Sequence, residues 1–352
     1  MRPLVTYLPP PSGKVQLPRT LRSAFLLPAD TFDLIYGDEA AARLAEISAL
    51  QPGPVSVDWA AGPDLPEWLE EIDVAFTGWH TPRFDARLLR RMPRLRAVFH
   101  GGGTIRPHVS DEFWKRGITI TTAARANSVP VAEFTHGLII LSLKRAWSLN
   151  RDFLARRAFS VAHPRVPGAL GSTVGIVSMG LIGRLVRERL RDLQVRVVAH
   201  DPYLPDKVFR ELDVEPVSLP ELMRRSDVVS LHSPLNAETR GLIGRELLDL
   251  MKPGATLVNT ARGGLLREDE LVAFLRRRED VQAVLDVTEP MPPNPVSPLF
   301  DLPNVFLTPH IAGSLGPECR RMGRTMLAEF ERYLVGQPLL YSVSREDAVL
   351  RA

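Results

Sequence analysis

Along most of the chain, short runs of apolar, β-branched residues alternate with longer stretches in which apolar positions recur at helical spacing. SAFLL, IDVAFTGW, LRAVFH and ITITT read as strands; AAARLAEIS, FDARLLRRM and FWKRG read as the helices between them. A long helix is expected from Val131, over VAEFTHGLIILSLKRAWSLNRDF, and is followed by the proline- and glycine-bearing stretch HPRVPGALG. A second alternating set begins at STVGIVSMG and continues with VRVVAHD, DVVSLHS, ATLVNTA, VQAVLDV and VFLTPH. These later strands lack polar alternation, as strands covered on both faces must. After Pro309 the spacing becomes helical again, in PECRRMGRTMLAEFERYL. The pattern predicts an α/β protein of two doubly wound, parallel-sheet units, the first built from both ends of the chain. The expected edges are a loose N-terminal tail over 1–20, a first unit from 21–128 and 313–352, and a second, Rossmann-like unit over 129–312.

Composition narrows the chemistry. The 352 residues are enough for two domains, and the formal net charge is only +3. Arginine clusters such as Arg276–Arg278 stand beside acids on helical stretches, so they read as solvated faces and not as a nucleic-acid stripe. No apolar run is long enough to span a bilayer, and the proline-rich start lacks the apolar centre of a signal peptide. The single cysteine, Cys319, has no internal disulfide partner, so a reducing cytoplasm is the expected compartment. No Cys/His cluster has metal-ligand spacing, and no metal is expected.

The stretch STVGIVSMGLIGRLVRERL has the form strand, tight turn, helix. Its spacing is Ser178-x-Gly180-x-x-Gly183, a dinucleotide-binding turn with serine in place of the first glycine. Backbone N–H groups of Leu181 and Ile182 at the helix start would face a pyrophosphate. Asp201, at the end of the next strand, is placed to accept both ribose hydroxyls and to repel a 2′-phosphate, which favours NAD over NADP.

Several motifs in one order carry a family resemblance: NSVPVAEFT before the turn, then SLHSPLNAETRGLIG, NTARGGLLREDEL, AVLDVTEP and NVFLTPHIAGS after it. From about residue 24 to about residue 345, the chain resembles the NAD-dependent D-isomer-specific 2-hydroxyacid dehydrogenases. The resemblance implies a homodimer that pairs through the helix near 131–150, and a cofactor domain inserted into a discontinuous, flavodoxin-like substrate domain, with the active site in the cleft between them. It implies hydride transfer between nicotinamide and C2 of a small 2-hydroxy or 2-keto acid, His310 as acid and base, and Arg262 as the grip on the carboxylate and carbonyl. The amides of Gly102 and Gly103 would hold the substrate carboxylate, and Trp79 and His80 would border its side chain. Asp286 would accept from the nicotinamide carboxamide. His232, Pro234, Asn259, Thr260, Ala261, Ala312 and Gly313 would line the cofactor site with Ser178, Gly180 and Gly183.

Besides Ser178, three places depart from the pattern. Leu181 stands where many relatives have arginine. The loop after Gly103 continues TIRPH, where an acid is frequent. Met291 stands where relatives carry the glutamate that pairs with the catalytic histidine, and a thioether can neither hold charge nor accept a strong hydrogen bond. Formate dehydrogenases of the same superfamily have glutamine there. Glu289, two residues earlier, is a candidate substitute acid within the loop. Ser178, Leu181 and Met291 define a second reading: a binding protein that senses NAD(H) with weak or no catalysis.

Overall fold

A computed structural model describes residues 20–53, 55–159 and 166–350, the side chains of 349 and 350 aside. The tail expected over 1–20 lies outside the described residues, except for Thr20. The chain divides into two compact units, one formed by the residues up to Asn127 and from Ser314 onward, the other by Ser128–Gly313.

The first unit carries five parallel strands: β1 (Arg22–Phe25), β2 (Ala49–Leu50), β3 (Val74–Thr77), β4 (Ala97–His100) and β5 (Thr119–Thr122). Their order is β2-β1-β3-β4-β5, the flavodoxin-like arrangement. Side chains alternate across the sheet. Phe25, Phe76 and Phe99 enter one core with Phe330, while Ala24, Ala75 and Val98 enter the other with Phe84 and Phe113. Phe76 and Phe99 stack at 5.4 Å, and Phe330 meets both rings edge-on. Both faces are therefore dry, and the polar work of this sheet is left to its strand ends.

The second unit has seven parallel strands: β6 (Thr173–Val177), β7 (Arg196–His200), β8 (Glu215–Pro216), β9 (Val228–Leu231), β10 (Thr256–Asn259), β11 (Gln282–Leu285) and β12 (Val305–Leu307). The order β12-β11-β10-β9-β6-β7-β8 reverses direction between β6 and β9. Such a switch point opens a crevice at the carboxyl ends of the strands, where α/β sheets bind ligands.

Local differences from the sequence reading have local causes. The single helix expected from Val131 is two helices, Ala124–Leu143 and Ala146–Arg156. They break at Arg145, which is left-handed (φ 52°) and donates to the Asp280 carbonyl at 3.0 Å. The first helix also starts earlier than expected and includes Pro130. The proline gives up one backbone hydrogen bond, while Ala126, Val129 and Val131 around it are buried. The two-residue strands β2 and β8 and the helix Ala29–Ile35 are too short for periodicity to reveal. No helix among the described residues is long and apolar enough to cross a membrane.

Candidate active site

The phosphate turn forms at the end of β6. Ser178 occupies the left-handed region at φ 76°, the conformation for which glycine is usual. Its N–H donates to the His200 carbonyl, and Met179 N–H donates to the Asp201 carboxylate at 2.9 Å, so the turn is tied to the end of β7. Gly183 packs its α-carbon against the Ser178 carbonyl, leaving no room for a Cβ. Gly180 is the contrary case: a Cβ there would meet nothing within 4 Å, so that face of the turn is open. The helix Leu181–Arg189 begins on the open side, and its first amides, including those of Leu181 and Ile182, have no partner within the helix. Asp201 receives Tyr203 N–H on its second oxygen at 3.1 Å.

Beyond the switch point, four successive strand ends carry the remaining candidates. His232 follows β9, is buried, and shares a hydrogen bond between Nε2 and Ser230 Oγ at 2.9 Å. Its Nδ1 is buried with no partner. Burial pushes this imidazole down to about 4, so it is neutral at physiological pH. Pro234, just beyond, is half-buried. Asn259 ends β10, is fully buried, and spends its amide on Ala261 N–H and the Arg262 carbonyl. Thr260 shares a hydrogen bond with Thr135. The side-chain polar atoms of Asn259 and Thr260 are engaged within the protein, and those of Asn259 shape the turn that presents Arg262.

Arg262 is half-buried, and its one side-chain hydrogen bond among the described residues goes to the Ala261 carbonyl, at 2.7 Å. No carboxylate pairs with it among the described residues, and burial lowers its pKa. A desolvated cation without a counter-ion is costly, and an anionic ligand offsets that cost.

Asp286 follows β11 and is almost wholly buried. Its carboxylate accepts from Thr308 Oγ1 (2.6 Å), Ile311 N–H (2.7 Å) and Ala312 N–H (3.0 Å). Its carbonyl accepts from His310 N–H at 3.0 Å. His310 itself is left-handed (φ 56°) and exposed. Asp286 thus gathers the turn after β12 and holds His310 in a strained, outward-facing conformation. Arg262 and His310 follow strands separated only by β11, which sets their backbones roughly 10 Å apart. Gly313 closes the segment half-buried.

Among the described residues, no hydrogen bond or ion pair joins this proline-broken loop to the His310 side chain. Met291 is exposed, and the Glu289 carboxylate is held by Arg240 at 2.8 Å. The imidazole of His310 has no hydrogen-bond partner among the described residues. The Glu289 side chain is thereby tied to Arg240, and its loop lies against Gly263 and Gly264.

In the first unit, Gly101–Gly103 follow β4. Gly101 N–H donates to the Thr77 carbonyl, but the N–H groups of Gly102 and Gly103 have no partner among the described residues. Trp79 packs against the core beside Phe25 and Phe76, which accounts for much of its surface, whereas His80 is exposed and left-handed (φ 61°). The sequence reading passed over His100 and Thr308, whose partners Thr77 and Asp286 are distant in the chain. The only available signal was that each borders a motif glycine or histidine.

The fit to a dinucleotide is local and consistent. The open face at Gly180, the free helix amides, the orphan Nδ1 of His232 and the acceptor Asp201 all lie at the ends of strands β6, β7 and β9. Residues 137–312 match the model of the family described as D-isomer specific 2-hydroxyacid dehydrogenase, NAD binding domain. The chain is 33% identical over 305 residues to a D-3-phosphoglycerate dehydrogenase of Mycobacterium leprae, covering 84% of this chain and 56% of that one. It is 34% identical over 289 residues to a glyoxylate reductase of Aeropyrum pernix, covering 80% of this chain and 85% of the relative. The crystal structure of a glyoxylate reductase from Paecilomyes thermophila superposes with a TM-score of 0.72 at 26% identity, over 93% of this chain and 99% of that one. The chain spans about half the length of the curated D-3-phosphoglycerate dehydrogenases it matches.

Proposed function

Because the chain belongs to the D-isomer-specific 2-hydroxyacid dehydrogenase family, with NAD as its cofactor, we propose that it interconverts a small D-2-hydroxy acid and its 2-keto acid. The observation that carries this reading is Arg262: a half-buried guanidinium with no acidic partner among the described residues, two strands from an outward-facing histidine.

Ser178–Gly183 would hold the pyrophosphate, Asp201 the adenine-side ribose, and the region of His232 and Asp286 the nicotinamide end. Bound NAD supplies or takes up the hydride at C2 of the acid. The forked donors of Arg262 bind the carboxylate and polarise the C2 carbonyl, stabilising negative charge as it gathers on oxygen. His310 gives that oxygen its proton in reduction and removes it in oxidation. The unpartnered amides of Gly102 and Gly103 offer donors that a carboxylate would accept. Apolar side chains exposed on the helices Ala124–Leu143 and Ala146–Arg156, among them Leu141, Phe153 and Leu154, support the expected homodimer, which sedimentation would test.

The test is NADH consumption with glyoxylate, hydroxypyruvate and phenylpyruvate over a wide pH range. Steady turnover that disappears in Arg262→Gln supports the reading. Tight NADH binding without turnover on any acid would favour the second reading, an NAD(H)-sensing protein. The unpartnered imidazole of His310 and the exposure of Met291 are the features on its side.

A further inference from the structure

The glycines after β4 are seated on two side chains that no part of the proposed reaction uses. Tyr36, buried, donates to the Thr77 carbonyl at 2.8 Å and lies so close to Gly101 that a Cβ there would come within 2.8 Å of its hydroxyl. His100, the last residue of β4 and also buried, lies under Gly102: a Cβ there would stand 2.5 Å from His100 Nε2. The His100 ring is held on its Nδ1 side, where it shares a hydrogen bond with Thr77 Oγ1 at 3.0 Å. The ring also packs against His108 at 5.1 Å, and His108 Nδ1 is bonded to the Thr81 carbonyl at 3.0 Å.

The imidazole therefore lies beneath the loop, pinned to the end of β3 through Thr77 and backed by the His108 ring, with Nε2 under Gly102. Burial and then the neighbouring His108 push it down to about 3, so it is a neutral, fixed spacer and not a proton carrier at physiological pH. Gly103 is different. A Cβ there would approach only the Asn127 amide, at 3.8 Å, so the loop is braced below Gly101 and Gly102 and open at Gly103.

We propose that His100 is a positioning residue, a prop that sets the height and direction of the Gly102 and Gly103 amides for a carboxylate ligand. The proposal rests on the 2-keto acid reading above, and adds the residue that pre-organises its neutral donors. Pre-organised donors contribute to binding because the loop need not be ordered when the anion arrives. Removing the prop should therefore weaken acid binding and leave the cofactor and the chemical step almost untouched.

The experiment uses the full-length protein with NADH bound and oxalate as the probe, its Kd read from NADH fluorescence, beside steady-state kinetics with the best keto acid. His100→Phe keeps the ring volume but removes the hydrogen bond to Thr77; His100→Gln keeps a polar reach. In His100→Phe, the oxalate Kd and the keto acid KM are expected to rise about tenfold, the loss of roughly one good hydrogen bond, with kcat within about twofold. NADH affinity should not change, and His100→Gln should fall between wild type and Phe. A double-mutant cycle adds an independent reading. Gly102→Ala should weaken oxalate about tenfold in the wild type but only slightly in His100→Ala, where the space beneath is free. Unchanged oxalate affinity in His100→Phe, additive penalties in the cycle, or a loss shared equally by NADH and oxalate would each overturn the prop. A wild-type protein that binds oxalate but reduces no keto acid defeats the proposed function alone; one that binds no oxalate defeats the carboxylate loop and the prop together.

Discussion

His100 and His232 make a controlled comparison within one molecule. Each stands at the carboxyl end of a parallel strand, one in each unit, and each is buried and neutral. They differ in what their nitrogens do. His100 shares a hydrogen bond with Thr77 through Nδ1, packs on the His108 ring, and has no buried nitrogen left without a partner among the described residues. His232 bonds Ser230 through Nε2 and leaves Nδ1 buried without a partner. The same contrast separates two arginines. Arg187 is buried and bonded to the Asp213 carbonyl and carboxylate at 3.0 and 2.8 Å, whereas Arg262, among the described residues, has only the Ala261 carbonyl. A buried polar group that is fully paired belongs to the architecture; one left unpaired costs stability unless a ligand completes it.

The largest expected effect tests the arginines. Arg262→Gln should lower kcat/KM for the keto acid by about two to three orders of magnitude, as loss of a charged transition-state donor does, with little change in melting temperature. Arg187→Gln should do the reverse, lowering the melting temperature and sparing kcat/KM. Equal losses of activity in both variants would end the distinction.

Next comes the pH dependence of stability. Both histidines have folded pKa values depressed below the unfolded value of 6.5, so the unfolded chain binds more protons in acid. Their contribution is complete above about 6.5 and lost as pH falls, down to about 4 for His232 and about 3 for His100. Each should contribute a slope of about 1.4 kcal/mol per pH unit in its window. Urea denaturation of wild type and His232→Asn would show the slope reduced in the variant; identical slopes would mean that His232 is not held neutral.

His232→Asn should also weaken NADH binding by about tenfold, roughly one hydrogen bond, without affecting oxalate, the mirror image of the result expected for His100. Titration of NADH fluorescence checks it, and an unaltered NADH Kd would remove His232 from the cofactor site. Smaller again is the effect of giving an unpartnered imidazole a partner. Met291→Glu should move the pH–rate profile upward by about one unit, since a nearby carboxylate favours protonated histidine; a superimposable profile would show that the new acid does not reach His310. The smallest effect is local. Ser178→Gly should stabilise the fold by about 0.5–1 kcal/mol, by relieving a left-handed side-chain residue, measured as a higher urea midpoint.

Much of the architecture was legible in the residues. The apolar runs that become β6, β9, β10 and β11 have no polar alternation because both faces of their sheet are covered, and a run such as VVSL carries that information in itself. Gly180 and Gly183 were legible for the same reason, since their spacing encodes one open face and one close packing contact. The helix expected from Val131 was misread because its break depends on Arg145 reaching Asp280, a contact no helical pattern contains. Glu289 shows the same dependence on space: in the chain it neighbours Met291, while in the fold it pairs with Arg240.

The sequence alone determined the order of strands and helices, the phosphate turn, and which side chains could carry charge or a proton, because those follow from local periodicity, glycine spacing and residue chemistry. Only the tertiary structure decided which of those groups are already paired. Asp286 holds the His310 turn through Thr308, Ile311 and Ala312, His100 braces a loop through Thr77, and Arg262 stays without an acid. Pairing is a property of distance in space, and residues far apart in the chain acquire it only when the sheets bring their strand ends side by side.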